Sequence, residues 1–101
     1  MRACKTAAHY RLFALANTTP PKPGLVRTPN FSGPGIEIEI WELEPAQFGD
    51  FVANVPPPMV IGTLDLEDGT PCKGFLCEPC ALAGAEEITR FGGWRGYLGS
   101  R

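Results

Sequence analysis

The stretch MVIGTLDLEDGTPCKGFLCE, residues 59–78, decides the fold class. Two runs in which apolar and polar residues alternate flank an Asp-Gly pair at 68–69. Such a pair between alternating runs is a strong signal for the tight turn of a β-hairpin. We therefore predict antiparallel strands over Met59–Leu66 and Thr70–Glu78. A glycine interrupts each run, which predicts a bulge or tight curvature, as in a sheet that closes.

Further strands are predicted upstream of this hairpin. Residues 36–43 alternate isoleucine with glutamate, which is typical of a strand with one buried face. Residues 10–15 are rich in aromatic and branched residues and indicate another strand. A Gly-Pro-Gly sequence at 33–35 marks the loop between them.

Two helices complete the predicted elements. Pro45 fits the first turn of a helix whose apolar side chains recur at helical spacing, and three prolines at 56–58 end it. Thr89 can cap a last helix that carries Phe91, Trp94 and Leu98 on one face. The fold class is α+β: a small curled, mainly antiparallel sheet or partial barrel with two helices. Residues 1–101 should form a single domain.

Composition and charge narrow the partners. Nine lysines and arginines stand against eleven acidic residues, for a formal charge of −2, so nothing indicates nucleic-acid binding. The apolar runs are too short to span a membrane, and no signal-peptide segment follows the first residues. We expect a cytoplasmic protein that binds neither nucleic acid nor membrane.

The segment Pro20–Arg27 is a candidate anion site. Its three prolines exclude a helix interior or a central strand, so we predict a stiff loop from Asn17 to about Arg27. Lys22 would offer a point charge and Arg27 a planar fork that matches a carboxylate. The alternative is a solvated connecting loop whose prolines only restrict the unfolded chain.

The four cysteines favour reduced thiols. Cys77 and Cys80 form a C-x2-C pair, but the sequence has no second paired half with the short spacing of a zinc site. The alternatives are a zinc site and a redox role. A redox pair would be expected at the start of a helix, and a short helix could follow this pair. We expect no metal site and no cofactor.

The remaining chemistry is cationic and aromatic. His9 is the single histidine, and the two serines lie in glycine-rich or terminal contexts. The sequence therefore offers no suitable residues for a Ser-His-Asp triad. Lysines and arginines with nearby aromatic residues could bind a small carboxylate and stabilise developing charge. Scattered surface charges are the alternative interpretation.

Several short segments of uncommon sequence give the chain a family resemblance. They are YRLFAL at 10–15, PPKPGLVR at 20–27, IGT at 61–63, KGFLCE at 73–78 and GAEEITRFGGWRGYL at 84–98. On these segments, which match in order along nearly the whole chain from about Thr6, the sequence resembles the C-terminal domain of allophanate hydrolase.

The resemblance implies a γ-glutamylcyclotransferase-like fold and a role in urea breakdown. In that family an amidase domain deaminates allophanate, and the C-terminal domain is thought to decarboxylate the resulting N-carboxycarbamate. The resemblance implies that Lys22 and Arg27 bind the retained carboxylate and that Tyr10 or Lys73 assists protonation. The amidase machinery is absent from this sequence, and the acidic catalytic residue of true cyclotransferases has no clear match in it.

The resemblance also implies a further strand and helix ahead of the first matched segment. The sequence begins after them, so we expect a domain truncated at its N-terminus. An exposed sheet edge and apolar surface would then favour a different function, a non-catalytic assembly module that pairs with itself or with an amidase partner.

Overall fold

The computed structural model describes residues 1–16, 18 and 20–100, which form seven strands, two α-helices and two short 3-10 helices. The strands are β1 (Arg2–Lys5), β2 (Tyr10–Ala14), β3 (Pro23–Arg27), β4 (Glu37–Ile40), β5 (Met59–Asp65), β6 (Pro71–Cys77) and β7 (Glu86–Glu87). The helices are α1 (Pro45–Ala53), α2 (Trp94–Gly99) and the 3-10 helices Pro79–Leu82 and Thr89–Phe91.

The described strands form three small antiparallel sheets. β2 lies between β3 and β7, β1 pairs with β4, and β5 pairs with β6. An isolated bridge from Thr6 to Leu66 joins the end of β1 to the β5–β6 hairpin. The sheets curl around one core but do not close into a barrel. The predicted α+β class, with antiparallel sheets and two helices, is confirmed.

The hairpin forms where its turn predicts it. Gly69 has φ +88, and its backbone N–H donates to the carbonyl of Leu66 at 2.9 Å. Asp68 Oδ1 accepts hydrogen bonds from the backbone N–H and the hydroxyl of Thr70 at 2.9 and 2.7 Å. These contacts fix both the turn and the register of the two strands that flank it.

The predicted bulge in this hairpin is wrong. Gly62 and Gly74 lie directly opposite each other in an uninterrupted register. A Cβ atom on Gly62 would lie 2.8 Å from Leu76 Cδ1, and one on Gly74 would lie 2.6 Å from Leu64 Cδ1. The two glycines therefore make room for leucine side chains instead of bending the strands.

The proline segment is only partly a loop. The first predicted loop residue, Asn17, lies outside the described residues, and the chain becomes strand β3 at Pro23. β3 is an edge of its three-stranded sheet, the position where a proline without a backbone donor is tolerated. The strand extends Gly24 to Arg27 away from Lys22 rather than folding them back beside it.

The two helices begin and end for local reasons. Pro45 is the first residue of α1, the backbone N–H of Glu44 donates to Gln47 Oε1 at 3.0 Å, and the prolines at 56–58 follow its end. The predicted last helix is divided in two. Gly92, at φ +80, separates the 3-10 helix Thr89–Phe91 from α2.

The core is small and is shared by all parts of the sheet system. Tyr10 and Ile88 have no exposed surface, and Ile36 is 2% exposed. The buried apolar side chains of the described residues are Tyr10, Leu12, Leu15, Leu25, Ile36, Leu64, Leu66 and Ile88.

Candidate functional site

An apolar cleft of about 530 Å³ lies between β3, β4, α1 and the β5–β6 hairpin. Its aromatic lining consists of Trp41, Phe48, Phe51, Phe75 and Trp94. Among the described residues, four charged side chains also line it, namely Lys22, Lys73, Glu37 and Glu39. A mostly apolar concavity with a few charged groups is the usual form of a small-molecule site.

Lys22 reaches the cleft from the residue immediately before β3. Its carbonyl accepts a hydrogen bond from the backbone N–H of Leu15 at 3.0 Å, and its own N–H donates to Thr18 Oγ1 at 3.1 Å. Both contacts anchor the backbone of Lys22, and the side chain is half-buried. The ammonium group therefore projects from a fixed point of the chain.

Lys73 reaches the cleft from the middle of β6. Its Nζ donates to Thr63 Oγ1, 2.7 Å away on the paired strand β5. This contact gives the exposed lysine side chain a defined direction. The two lysines thus approach the same cleft from different elements.

The two carboxylates of the cleft differ in their partners. Glu39 forms an ion pair with Arg95, which stands on α2. Glu37 is exposed and has its backbone N–H bonded to the carbonyl of Gly92 at 2.8 Å. The pairing with Arg95 offsets one of the two negative charges beside the lysines.

Arg27 belongs to a second polar cluster outside the lining of the cleft. Its NH1 donates to Asp65 Oδ2 at 2.5 Å and its NH2 donates to the carbonyl of Thr63 at 2.6 Å. His9 Nε2 lies 3.0 Å from the same Asp65 oxygen. The Arg27 guanidinium, followed by His9, holds the pKa of Asp65 below its ordinary value of 3.8.

Tyr10 completes this cluster from the core side. Its ring has no exposed surface, and its hydroxyl oxygen accepts a hydrogen bond from the backbone N–H of Asp65 at 2.9 Å. The guanidinium carbon of Arg27 lies 5.3 Å from the ring centroid, which suits a cation–π contact.

The four site residues predicted from the sequence thus fall into two groups. Lys22 and Lys73 share the cleft, whereas Tyr10 and Arg27 share the polar cluster. Thr63 joins the groups, since its hydroxyl accepts from Lys73 and its carbonyl accepts from Arg27.

Sequence reasoning missed Thr63 and Asp65. The hairpin register, counted outward from the Asp-Gly turn, would have placed Thr63 opposite Lys73. The sequence contains no comparable signal for the contact between Asp65 and Arg27, which joins separate sheets.

The cysteines carry free thiols. Burial raises the pKa of the Cys77 thiol, which disfavours the reactive thiolate. Within residues 1–16, 18 and 20–100, no three His, Cys, Asp or Glu side chains are grouped to hold a metal ion. Over the same residues, no helix is both long and apolar enough to cross a membrane.

Known proteins resemble this chain over nearly all of its length. Residues 1–99 match the sequence profile of the allophanate hydrolase C-terminal domain. The urea amidolyase of Saccharomyces cerevisiae is 41% identical over 97 residues, which are 93% of this chain and 5% of that protein. The urea amidolyase of Lachancea kluyveri is 38% identical over the same length and again only 5% of it is covered.

Solved structures agree with the sequence matches. Kluyveromyces lactis allophanate hydrolase superimposes with a TM-score of 0.92 at 38% identity, covering 99% of this chain and 17% of that one. The protein c4763 of uropathogenic E. coli superimposes with a TM-score of 0.85 at 34% identity. The match covers 98% of this chain and 75% of that one. The chain spans about 5% of the length of the curated relatives it matches. The profile match and these identities show that the chain belongs to the allophanate hydrolase C-terminal domain family.

Proposed function

We propose that this domain binds a small anionic carbamate in the cleft and decarboxylates N-carboxycarbamate, acting in cytoplasmic urea breakdown. One observation carries the proposal: Lys22 and Lys73, from two different elements, both line one cleft. Membership of the family supports the choice of substrate.

The reaction asks little of the protein beyond placed positive charge. The bond between nitrogen and the departing carboxylate breaks, its electron pair stays on nitrogen, and CO2 leaves. A proton then reaches the nitrogen and gives carbamate. Cations that hold the retained carboxylate and face the developing negative charge lower the barrier because they are more effective in the transition state.

In this proposal Lys22 holds the retained carboxylate, and Lys73 assists protonation of the nitrogen. The hydrogen bond from Lys73 to Thr63 supports that assignment because it directs the ammonium group. Removing one lysine that makes a charged hydrogen bond to the substrate should cost about tenfold or more in rate.

Arg27 and Tyr10, also predicted from the sequence, act in this proposal from behind the cleft. Arg27 contacts the carbonyl of the same Thr63 whose hydroxyl contacts Lys73. Tyr10 supports Arg27 through its ring and Asp65 through its hydroxyl. Both are therefore positioning residues for Lys73.

The test generates the substrate in place, since N-carboxycarbamate is labile. A family amidase domain converts allophanate, this protein is added, and CO2 release is measured for the wild type and for Lys22→Met and Lys73→Met. Lys5→Met is the matched control, because Lys5 is an exposed lysine outside the lining of the cleft. Release should rise with the wild type and the control and fall in the two cleft variants. No acceleration, or equal rates in all three variants, would reject the proposal.

A second candidate is an assembly module that docks on an amidase domain. The observation in its favour is that α1 has no buried side chain and leaves two large apolar side chains in contact with water. Phe51 is 44% exposed and Val52 is 39% exposed. The allophanate hydrolase and urea amidolyase of Kluyveromyces lactis are much longer chains, and their remaining parts are candidate partner surfaces. Size-exclusion chromatography with and without the amidase domain of a relative should show a shared peak that Val52→Asp abolishes. Separate peaks, or self-pairing alone, would exclude this partner.

A further inference from the structure

We propose that the cleft also takes a larger ligand class, amphipathic monocarboxylates with an apolar body and one acid head. The inference deepens the proposed function and rests on it only for the lysine end of the cleft. N-carboxycarbamate has one nitrogen between two carboxylates and no apolar body. It would leave most of the 530 Å³ and its aromatic walls in contact with water.

The walls that such a dianion would leave uncovered are unusually exposed. Trp41 is 64% exposed, Phe51 is 44% exposed and Phe75 is 41% exposed, although all three line one concavity. The rings of Phe51 and Phe75 contact each other with centroids 5.4 Å apart. An apolar ligand body laid against them would remove this surface from water, which is the main source of affinity in such sites.

The charge balance of the lining selects the head group. Of the described residues that line the cleft, Lys22 and Lys73 contribute two positive charges. Arg95 offsets Glu39, so only Glu37 opposes the lysines. One positive charge remains, which complements a single carboxylate and disfavours a cation.

The experiment uses the tryptophans of the protein. The sequence has two tryptophans, Trp41 and Trp94, and both line the cleft, so the intrinsic emission reports on it. The full chain is titrated with hexanoate, octanoate and decanoate below their micellar concentrations. We expect a saturable change in emission whose affinity rises about fourfold per added methylene. An affinity that does not change along the series would overturn the inference.

Variants locate the binding. Phe51→Asp should weaken decanoate binding at least tenfold, whereas Val52→Asp, on the same helix but outside the lining, should not. Lys73→Met should weaken decanoate binding as well. Equal affinities in the Phe51 and Val52 variants would also overturn the inference, and the wild-type series still decides it if Phe51→Asp does not fold.

Malonate separates this inference from the proposed function, because it is a stable dianion shaped like N-carboxycarbamate. Binding of malonate without decanoate would overturn only the larger ligand class. Binding of decanoate with the methylene dependence, but with neither malonate binding nor CO2 release, would support the larger class and reject the proposed function.

Discussion

The hydroxyl of Tyr10 has a structural task of its own. It supplies the acceptor for the backbone N–H of Asp65, at the end of β5, from a ring that is wholly buried. Tyr10→Phe keeps the packed ring and leaves that donor without its partner. We expect the free energy of unfolding in urea to fall by about 1–3 kcal/mol. An unchanged midpoint and slope of the urea transition would contradict this role.

Gly24 is required for a close approach between β3 and its neighbours. A Cβ atom there would lie 2.7 Å from Leu15 Cδ2 and 2.9 Å from Cys77 Sγ. Gly24→Ala should therefore cost about 1–3 kcal/mol of unfolding free energy because the buried Leu15 must move.

Gly49→Ala is the matched control for Gly24→Ala. Gly49 lies in α1, and a Cβ atom there meets nothing within 4 Å. Alanine has the higher helix propensity, so this variant should gain about 0.5–1 kcal/mol. Urea titration of both variants measures the difference, and a loss of equal size in both would contradict the crowding at Gly24.

At the scale of elements, the sequence predicts those whose signals are local. The β5–β6 hairpin follows from its Asp-Gly turn, and α1 follows from Pro45 and the prolines after it. β1 is missed because four residues, Arg2–Lys5, are too few to show a period. Its pairing with β4 is a tertiary effect.

In the candidate site, too, local sequence patterns predict only part of the arrangement, and tertiary contacts decide the rest. A proline loop would bring Lys22 and Arg27 together, but β3 keeps Arg27 about 13 Å beyond Pro23 at the rise of an extended strand. The shared cleft of Lys22 and Lys73 depends on how β3 and β6 approach each other. No local pattern encodes that approach, so sequence reasoning could name these residues but could not group them.

The contact from β5 to β3 should make stability depend on pH. Arg27 and His9 lower the pKa of Asp65 in the folded chain, so the ionised carboxylate stabilises the fold above its ordinary pKa of 3.8. That contribution is lost as the pH falls through the lower folded value. Asp65→Asn should therefore lose stability at neutral pH and show a flatter decline below about pH 4.

A cycle with Arg27→Met checks the origin of this effect. Urea unfolding is measured between pH 2 and pH 7 for both single variants and the double variant. Either single change should remove most of the pH dependence that the pair supplies, and the double variant should add little. Additive effects of the two substitutions would contradict a direct coupling.

At the scale of the whole molecule, the three sheets of the described residues depend on one core. The sheet of β2, β3 and β7 contributes Tyr10, Leu12 and Leu25, and the β5–β6 sheet contributes Leu64. Ile36, just before β4, joins them from the β1–β4 sheet, and Ile88 joins them just after β7. The backbone N–H of Ile88 also donates to the carbonyl of Leu12 at 2.7 Å. With one shared core, the sheets should unfold together in a single transition.

Ile88→Ala tests that cooperativity. Ile88 has no exposed surface, so the truncation should cost about 2–5 kcal/mol and lower the unfolding midpoints seen by far-ultraviolet circular dichroism and by tryptophan emission equally. Val60→Ala, at a 37% exposed strand position, should shift both much less. Midpoints that separate in the Ile88 variant would show that the sheets unfold independently.

The absence of buried side chains from α1 has a dynamic consequence. An element with no buried side chain opens at little cost, so its amide protons should exchange with solvent ahead of those of β2 and β5. Phe48 and Phe51 of this helix line one side of the cleft, whereas β3 and β6, which line another side, are each hydrogen-bonded to a neighbouring strand. The side of the cleft formed by α1 should therefore move more easily than the side formed by the paired strands. The cleft can then change shape around a ligand while the sheets keep their structure.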